Sequence, residues 1–333
     1  MPSHRSGIDI GYLHSFRGLI FYTKTEKIWQ RRIRITAALP AALKARHRVE
    51  NQGFSVYGTA APRIPVLVCV PHAGRDYPPE VFASLRLPPA SLVRLEDRYA
   101  DLLARDVIAH NVPTIIAHKA RAWIDLNRDE RDLDVEMVSG IDRAHYPTPG
   151  AKQRGGLGLI PRRLSGEGDI WKGRISVDDV ERRLSGFHRP YHEMVANTLA
   201  RMHEKFGIAM LLDLHSMPPL QSADSPPSRF VIGDRFGRSA SARYSGILMA
   251  RLAADGFLAA LNHPYSGDHI LRRHALVEHN IHALQLEVDR SLYLDSRLRE
   301  PGAGIGKISR LIMLLVETLA EQALGSQTLM AAE

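Results

Sequence analysis

Short apolar runs alternate with stretches of helical periodicity from about residue 63 onward. Four of the runs are bounded by polar segments and predict buried strands, at residues 66–70, 114–117, 208–214 and 281–288. Apolar residues recur at helical spacing in the intervening segments, at residues 92–107, 176–206, 241–255 and 305–324. Alternating strands and helices are typical of an α/β protein, and no internal repeat is present, so we expect one α/β domain.

The helical segment at residues 176–206 carries helix-capping signals at both ends. The sequence Ser176-Val177-Asp178-Asp179 resembles a capping box, and Gly207 follows the last periodic residue. Pro190 lies inside this segment and has no backbone N–H to donate. We therefore expect a helix that begins near Ser176, ends before Gly207 and is bent or broken at Pro190.

The positive charge is concentrated at the N-terminus. The whole chain of 333 residues has a formal net charge of +8, but residues 1–50 contain ten basic and three acidic side chains. We interpret residues 1–60 as a basic extension outside the core and residues 61–333 as a single domain. A basic segment can contact nucleic-acid phosphates, so a nucleic-acid-binding protein is an alternative. The extension has no groove-reading motif, and we therefore expect that the protein has no nucleic-acid partner.

Membrane and disulfide classes are disfavoured. No run approaches the roughly 18 apolar residues that a membrane-spanning helix needs, and Lys24 and Lys27 interrupt the apolar patch at residues 18–22 that could begin a signal peptide. We expect a cytoplasmic protein without a membrane partner. Cys69 is the single cysteine and lies within an apolar strand, which excludes disulfides within the chain and multi-cysteine metal sites.

Reactive side chains occur at the ends of three predicted strands. His72 follows the first strand, Asp213 and His215 close the third, and Glu287 lies in the fourth. Ligands bind beyond the carboxyl ends of strands in open α/β sheets, so these side chains can converge on a zinc-hydrolase site. The chain has 16 histidines, and any one of them is more often structural than a ligand. A carboxylate inside an apolar strand, by contrast, needs a cation, a metal or a catalytic role.

Two further segments have open interpretations. In residues 121–128 the alternation of apolar and polar residues predicts a strand, whose Asn127 and Arg128 could clasp a substrate carboxylate or belong to a surface salt-bridge cluster. The glycine-rich loop at residues 150–168 lacks a following helix start, which disfavours a phosphate site. An active-site lid and an ordinary surface loop both remain open for it.

The combined motifs resemble the N-formylglutamate amidohydrolase family. They occur in the family's order at residues 70–74, 121–128, 158–161, 189–192, 212–217, 262–267 and 282–293. The resemblance covers about residues 63–300. It implies a fold like that of the zinc carboxypeptidases, a mixed β-sheet flanked by helices, and hydrolysis of an N-acyl amide.

The family pattern also implies roles for residues of this chain. His72 and His215 would be ligands of one zinc ion, Glu287 the general base and acid, and Asn127 with Arg128 the clamp for the substrate carboxylate. Arg75 stands where the wider carboxypeptidase pattern has a Glu ligand, so the third ligand must come from elsewhere. We choose Asp97 over Glu96. The remaining candidates for substrate contact are Arg121, His192 and Arg272, although His192 could equally be a helix-packing histidine.

The function implied by the resemblance is hydrolysis of N-formyl-L-glutamate, a small anionic N-acyl amino acid, to formate and glutamate. The alternative is a zinc deacylase or carboxypeptidase-like hydrolase that acts on another N-acyl amino acid or peptide. A family member that has lost catalysis and only binds its ligand is a third possibility, against which the intact His72, His215 and Glu287 argue. The sequence does not indicate an oligomeric state.

Overall fold

The structure, a computed structural model, describes residues 49–51, 53–142, 148, 150–221 and 226–330. Residues 1–48, the larger part of the basic N-terminal segment, lie outside this description.

The strands are β1 (Val49–Asn51), β2 (Phe54–Tyr57), β3 (Val66–Val70), β4 (Thr114–Ala117), β5 (Val138–Ser139), β6 (Arg163–Leu164), β7 (Gly168–Asp169), β8 (Ile175–Ser176), β9 (Ala209–Met217), β10 (Phe230–Gly233), β11 (Ala259–Leu261) and β12 (Ile281–Asp289). The α-helices are α1 (Pro79–Ser84), α2 (Ala100–Leu103), α3 (Arg105–Ala109), α4 (Ala151–Arg154), α5 (Val177–Arg183), α6 (Arg189–Phe206), α7 (Ala242–Ala254), α8 (His269–His274) and α9 (Ile305–Met330). Short 3₁₀ turns span Pro89–Leu95, Val135–Met137, Val277–His279 and Arg290–Leu292, and a π-helical turn spans Leu184–His188.

Eight of these strands form one mixed sheet in the order β1-β2-β4-β3-β9-β12-β10-β11. The central strands β4, β3, β9 and β12 are parallel, whereas β1, β2 and β10 pair with their inner neighbours in the antiparallel sense. The core includes side chains of the central strands and of α3, α7 and α9. The predicted α/β architecture, a mixed sheet flanked by helices, is confirmed.

The register of the central strands brings their chemistry to one edge of the sheet. Glu287 of β12 lies beside His215 of β9, and Asp213 of β9 lies beside Cys69 of β3. His72 follows β3 by two residues. Because these three strands are parallel, their carboxyl ends meet at the same edge, as the sequence predicted.

The single helix predicted over residues 92–107 is wrong. A 3₁₀ turn ends at Leu95, the backbone is extended at Glu96, and Tyr99 adopts left-handed φ (+57°) before α2 begins. The backbone N–H of Asp97 donates instead to the carbonyl of His72 at 3.0 Å. This interruption places Asp97 beside the end of β3, where a continuous helix could not carry it.

The strand predicted in residues 121–128 is also wrong. These residues form irregular turns, although Ile124 through Arg128 are all buried. The N–H of Asp125 donates to the carbonyl of Leu159 at 2.8 Å, and the carboxylate of Asp125 accepts from the N–H of Asn127 at 2.8 Å. Such a side-chain bond two residues along the chain stabilises a turn in place of a strand.

The glycine-rich loop is packed against this buried segment. Leu159 and Ile160 are fully buried, and a Cβ at Gly158 would lie 2.5 Å from the carbonyl oxygen of Asp132. Only glycine permits that close approach. The loop is therefore part of the wall behind residues 124–128.

The helical segment after Ser176 behaves as its sequence indicates. The side chain of Ser176 accepts from the N–H of Asp179, and Gly207 ends α6 with left-handed φ. The chain widens into the π-helical turn immediately before α6, whose first turn contains Pro190. The widened turn accommodates a residue that cannot donate a helical hydrogen bond.

The folded domain begins earlier than residue 61. β2 is part of the main sheet and pairs with β4, although it lies within the segment that the sequence assigned to the extension. Phe54 is fully buried, and its ring packs edge-on against Tyr191 with centroids 5.6 Å apart. The four residues of β2, which lie between Gly53 and Gly58, were not among the predicted strands, so the predicted boundary was placed too late.

None of the helices in the described residues combines the length and apolar character needed to cross a membrane.

Candidate metal centre and active site

His72, Asp97 and His215 converge at the carboxyl edge of the sheet. Each offers one ligand atom, and the three atoms lie within 4.8 Å of one another. The Oδ2 atom of Asp97 is 3.1 Å from Nδ1 of His215 and 3.7 Å from Nδ1 of His72. All three side chains are buried. The predicted third ligand, Asp97, is thus next to both histidines.

Each of these histidines is oriented by a carboxylate on its far side. Nε2 of His72 donates to Oδ1 of Asp125 at 2.7 Å, and Nε2 of His215 donates to Oδ2 of Asp213 at 2.8 Å. The Nδ1 atom of each ring therefore faces the shared space. Metal-binding histidines characteristically donate their second nitrogen to a carboxylate in this way.

The nitrogen Nδ1 of His72 tests whether the residues suit a metal ion. It is buried and has no hydrogen-bond partner among the described residues. A buried lone pair without a partner is costly unless it binds a ligand. Two imidazoles and a carboxylate, with room for water, are the donor set of many catalytic zinc sites, so the residues fit a divalent ion.

Charge at the centre is balanced by close pairing. Burial opposes protonation of His215, but the charge and hydrogen bond of Asp213 outweigh it and raise the pKa of His215. Burial likewise opposes ionisation of Asp97, but the hydrogen bond and charge of His215 hold its pKa below the usual value. A metal ion binding here would replace the Nδ1 proton of His215.

Glu96 is turned away from the centre. Its Oε1 accepts from the hydroxyl of Tyr77 at 2.6 Å, and its Oε2 accepts from Arg98 at 2.7 Å. Of the two adjacent acids, Asp97 contacts the histidine pair and Glu96 makes structural bonds.

Glu287 lies beside His215 across the strand pair. It is 8% exposed, and its Oε1 accepts from Nε2 of Gln285 at 2.9 Å. Burial raises the pKa of Glu287 to about 7, with the charge of Asp97 adding to the effect and that of His215 opposing it. A carboxyl group with this pKa can both accept and return a proton near neutral pH.

Arg121 faces the same region. Its Nε donates to Oδ2 of Asp125 at 2.8 Å, and its side chain is 20% exposed. The charges of Asp125, Asp97 and Glu287 all raise the pKa of this guanidinium. Arg121 therefore both holds the carboxylate that orients His72 and presents positive charge to the candidate centre.

Asn127 and Arg128 are held by extensive hydrogen bonds. Arg128 donates from Nε to the carbonyl of Leu157 at 2.8 Å and from NH1 to Oδ2 of Asp268 at 2.7 Å. Oδ1 of Asn127 accepts from the N–H of Ile270 at 2.9 Å. The predicted clamp is thus rigid, and its cation is partly neutralised by Asp268.

His192 and Arg272, two further candidates for substrate contact, differ in their exposure to solvent. His192 is fully buried, its Nε2 donates to the carbonyl of Leu126 at 3.0 Å, and its Nδ1 is 2.9 Å from His274. Arg272 is about half exposed and lies 3.4 Å from Asp129. His192 is thus enclosed within the domain, whereas Arg272 is accessible to an anion.

Three residues near the centre were not singled out from the sequence as site residues. Arg290 donates to Oδ1 of Asp97 at 3.1 Å, and Asp125 orients His72. Tyr265 is half-buried; burial and then the charge of Glu287 raise its pKa, which places it near the centre. Arg290 and Asp125 both lie within the recognised motifs, so a cation or acid beside each catalytic group was a signal available in the sequence. Arg75, at the position of the expected Glu, pairs with Asp101 at 2.9 Å.

The family model for N-formylglutamate amidohydrolase matches residues 64–294. The chain belongs to the N-formylglutamate amidohydrolase family. The N-formylglutamate deformylase of Pseudomonas aeruginosa is 29% identical over 242 residues, covering 71% of this chain and 84% of that protein. The enzyme of the same name from Pseudomonas putida is 31% identical over 240 residues, covering 70% of this chain and 83% of its own.

Solved structures agree with the family assignment. The crystal structure of N-formylglutamate amidohydrolase from Ralstonia eutropha JMP134 has a TM-score of 0.75 and 28% identity, covering 82% of this chain and 98% of that one. A gene product from Agrobacterium tumefaciens shares the fold at a TM-score of 0.59 and 18% identity, with 82% and 94% coverage. The resemblance inferred from the motifs is confirmed.

Proposed function

We propose that this protein is a zinc-dependent amidohydrolase that cleaves N-formyl-L-glutamate to formate and glutamate. The observation that carries the proposal is the group formed by His72, Asp97 and His215 beside the buried carboxyl of Glu287. Family membership and the deformylase activity for which the Pseudomonas relatives are named support the substrate.

The ion would be held by Nδ1 of His72, Nδ1 of His215 and the carboxylate of Asp97. The chemistry that a bound zinc ion supplies is polarisation of the acyl carbonyl and a lowered pKa of water, from about 9 toward about 7. Asp125 and Asp213 keep the two imidazoles in the required orientation through their 2.7 and 2.8 Å hydrogen bonds.

Glu287 carries the proton. One of its carboxylate oxygens accepts a proton from the attacking water, and the same carboxyl returns that proton to the nitrogen of the leaving amine. Its pKa of about 7 suits both steps, because neither protonation state is strongly preferred near neutral pH. Gln285 holds the carboxyl in place through its bond to Oε1.

The substrate's charge is matched by arginines around the centre. N-formylglutamate has two carboxylates, and Arg121, Arg128 and Arg272 all lie near the segments that border the centre. In the proposal, Asn127 and Arg128 hold the amino-acid carboxylate, while Arg121 and Arg272 add positive charge for the dianion. Holding both ends of the substrate would position the formyl amide beside His72, Asp97 and His215.

The test is release of formate from N-formyl-L-glutamate by the purified full chain. We expect turnover that chelation abolishes and that added Zn²⁺ restores. N-formyl-L-glutamine and N-acetyl-L-glutamate serve as comparison substrates that change one end of the molecule at a time.

The outcomes separate the candidate activities. Preference for N-formyl-L-glutamate over both analogues supports the proposal. Faster release of acetate than formate would replace it with a deacylase of the alternative class. Turnover unaffected by removal of every bound metal ion would contradict the zinc mechanism.

A further inference from the structure

A second group of histidines lies outside the centre described above. His188 ends the π-helical turn, His192 follows one helical turn later in α6, and His269 begins α8. Ligand atoms of these three rings lie within 4.8 Å of one another. The ring centroids of His188 and His192 are 4.5 Å apart, and that of His269 is 5.1 Å from His192. All three are buried.

Backbone carbonyls determine the tautomers of the first two rings. Nε2 of His188 donates to the carbonyl of Arg128 at 3.0 Å, and Nε2 of His192 donates to the carbonyl of Leu126 at 3.0 Å. Because a carbonyl oxygen can only accept, each Nε2 carries the proton and each Nδ1 keeps its lone pair. A backbone carbonyl in this position is a common outer partner of metal-binding histidines.

Two nitrogens of the group have no hydrogen-bond partner among the described residues, Nδ1 of His188 and Nε2 of His269. Both side chains are more than nine-tenths buried. Nδ1 of His192 accepts from His274 at 2.9 Å. Burying an unpaired polar nitrogen costs roughly 1–3 kcal/mol, and this group contains two. The group therefore has two buried nitrogens that are available to a ligand.

Carboxylates and arginines both lie near the group, because Arg189 pairs with Glu130, and Arg272 is 3.4 Å from both Asp129 and Nδ1 of His269. Oε1 of Glu130 lies 4.0 Å from Nδ1 of His188, and Oδ2 of Asp129 lies 3.8 Å from Nδ1 of His269. Burial also lowers the pKa of His269 to about 4, so this ring is neutral near pH 7. Neutral imidazole is the form that binds transition metals.

We propose that His188, His192 and His269 form a second metal site, which binds a divalent transition ion of the class that prefers imidazole, such as Zn²⁺. Nδ1 of His192 would exchange its bond with His274 for the ion. Imidazole suits Zn²⁺, Cu²⁺ and Ni²⁺ better than it suits Mg²⁺ or Ca²⁺.

The position of the site gives the ion a structural role. His188 and His192 donate to the carbonyls on either side of Asn127. His269 lies between two residues that contact the predicted clamp. Asp268 accepts from Arg128, and the N–H of Ile270 donates to Asn127. An ion shared by the three histidines joins α6 to α8. It thereby stiffens both sides of the segment that carries Asn127 and Arg128.

The experiment counts metal ions bound per chain. Full-length protein is loaded with Zn²⁺, dialysed against metal-free buffer and measured by elemental analysis, with circular dichroism as the check on folding. We expect two equivalents for the unaltered chain and one for each of His188→Phe and His269→Phe. His282→Phe is the matched control and should keep two, because His282 is also buried, has no hydrogen-bond partner within the described part of the chain and belongs to neither group.

A second measurement avoids dependence on these core substitutions. The double variant His72→Ala, His215→Ala removes the first centre, and Co²⁺ added to it should still produce visible absorption of a nitrogen-bound ion at one equivalent. No cobalt signal in the folded double variant, or the same number of zinc equivalents in His188→Phe and His269→Phe as in the unaltered chain, would each overturn the second site. None of these results depends on which substrate is hydrolysed.

Discussion

The Oδ2 atom of Asp97 lies 3.1 Å from Nδ1 of His215, whereas the carboxylate of the preceding residue points to Tyr77 and Arg98. Two adjacent acids thus have separate tasks. Asp97→Asn should lower zinc affinity by more than the roughly 10- to 100-fold typical of outer partners, since it removes a charged ligand. Competition with a chromophoric chelator measures the change.

Glu96→Gln is the matched variant for this test. It keeps the shape of Glu96 but weakens the buried pair with Arg98, so we expect a loss of about 2 kcal/mol in the free energy of unfolding and unchanged zinc affinity. The reverse pattern, with zinc lost in Glu96→Gln and kept in Asp97→Asn, would reassign the third ligand to Glu96.

The carboxylates behind the histidines should also contribute to metal affinity. Asp213→Asn removes the charge that the ring of His215 faces at 2.8 Å, and we expect zinc to bind roughly 10- to 100-fold more weakly. Asp255→Asn, at an exposed position, is the control and should bind zinc normally. Equal affinities in the two variants would show that Asp213 has no such role.

Glu287→Gln should reduce kcat by about 10²- to 10⁴-fold with zinc still bound, because the amide cannot accept a proton. Glu278→Gln, at an exposed glutamate that precedes β12, should retain normal turnover. In the unaltered chain the acid limb of kcat/KM should lie between pH 4.5 and about 7, since burial raises the pKa of Glu287 and a bound cation lowers it. Near-normal turnover of Glu287→Gln would exclude Glu287 as the base.

The same residue should affect stability in the metal-free protein. The pKa of Glu287 is about 7 in the folded chain and about 4.5 in the unfolded chain, so folding favours the protonated carboxyl. The contribution of Glu287 to the free energy of unfolding is therefore fully present below pH 4.5 and is lost as the pH rises through 7. The change in the free energy of unfolding that Glu287→Gln causes in the metal-free chain should therefore be more stabilising at pH 8 than at pH 4, by up to about 3 kcal/mol. Chemical denaturation at the two pH values tests the sign, and a larger gain at pH 4 would contradict it.

Truncation distinguishes the extension from the domain. A chain that begins at Val49 keeps β2 and should retain formate release. A chain that begins at Ala61 loses Phe54, whose burial is worth about 2 kcal/mol, and exposes an edge of β4. We expect it to be unstable in thermal denaturation, and equal stability of the two chains would contradict this account of β2.

Strand positions were predictable because β3, β9 and β12 are buried on both faces and therefore read as continuous apolar runs. The backbone path that brings Asp97 to His215 was not predictable from periodicity, and the family pattern alone indicated Asp97, because this path depends on a left-handed turn at Tyr99 in a segment with helical spacing. Alternation of apolar and polar residues at 121–128 suggested a strand. The apolar and the polar side chains of residues 124–128 are all buried, however, and the backbone of Asp125 bonds to the glycine-rich loop at Leu159. The local pattern of apolar and polar residues does not reveal burial that arises from contacts with distant segments of the chain.

Arg290 gives the Asp97 carboxylate a cationic partner at 3.1 Å that belongs to the chain itself. A buried acid without such a partner would oppose folding until an ion arrived. With Arg290 in place, the polypeptide can complete its fold without an ion at this carboxylate. If the proposed centre binds zinc, synthesis of the protein would not have to be synchronised with metal supply.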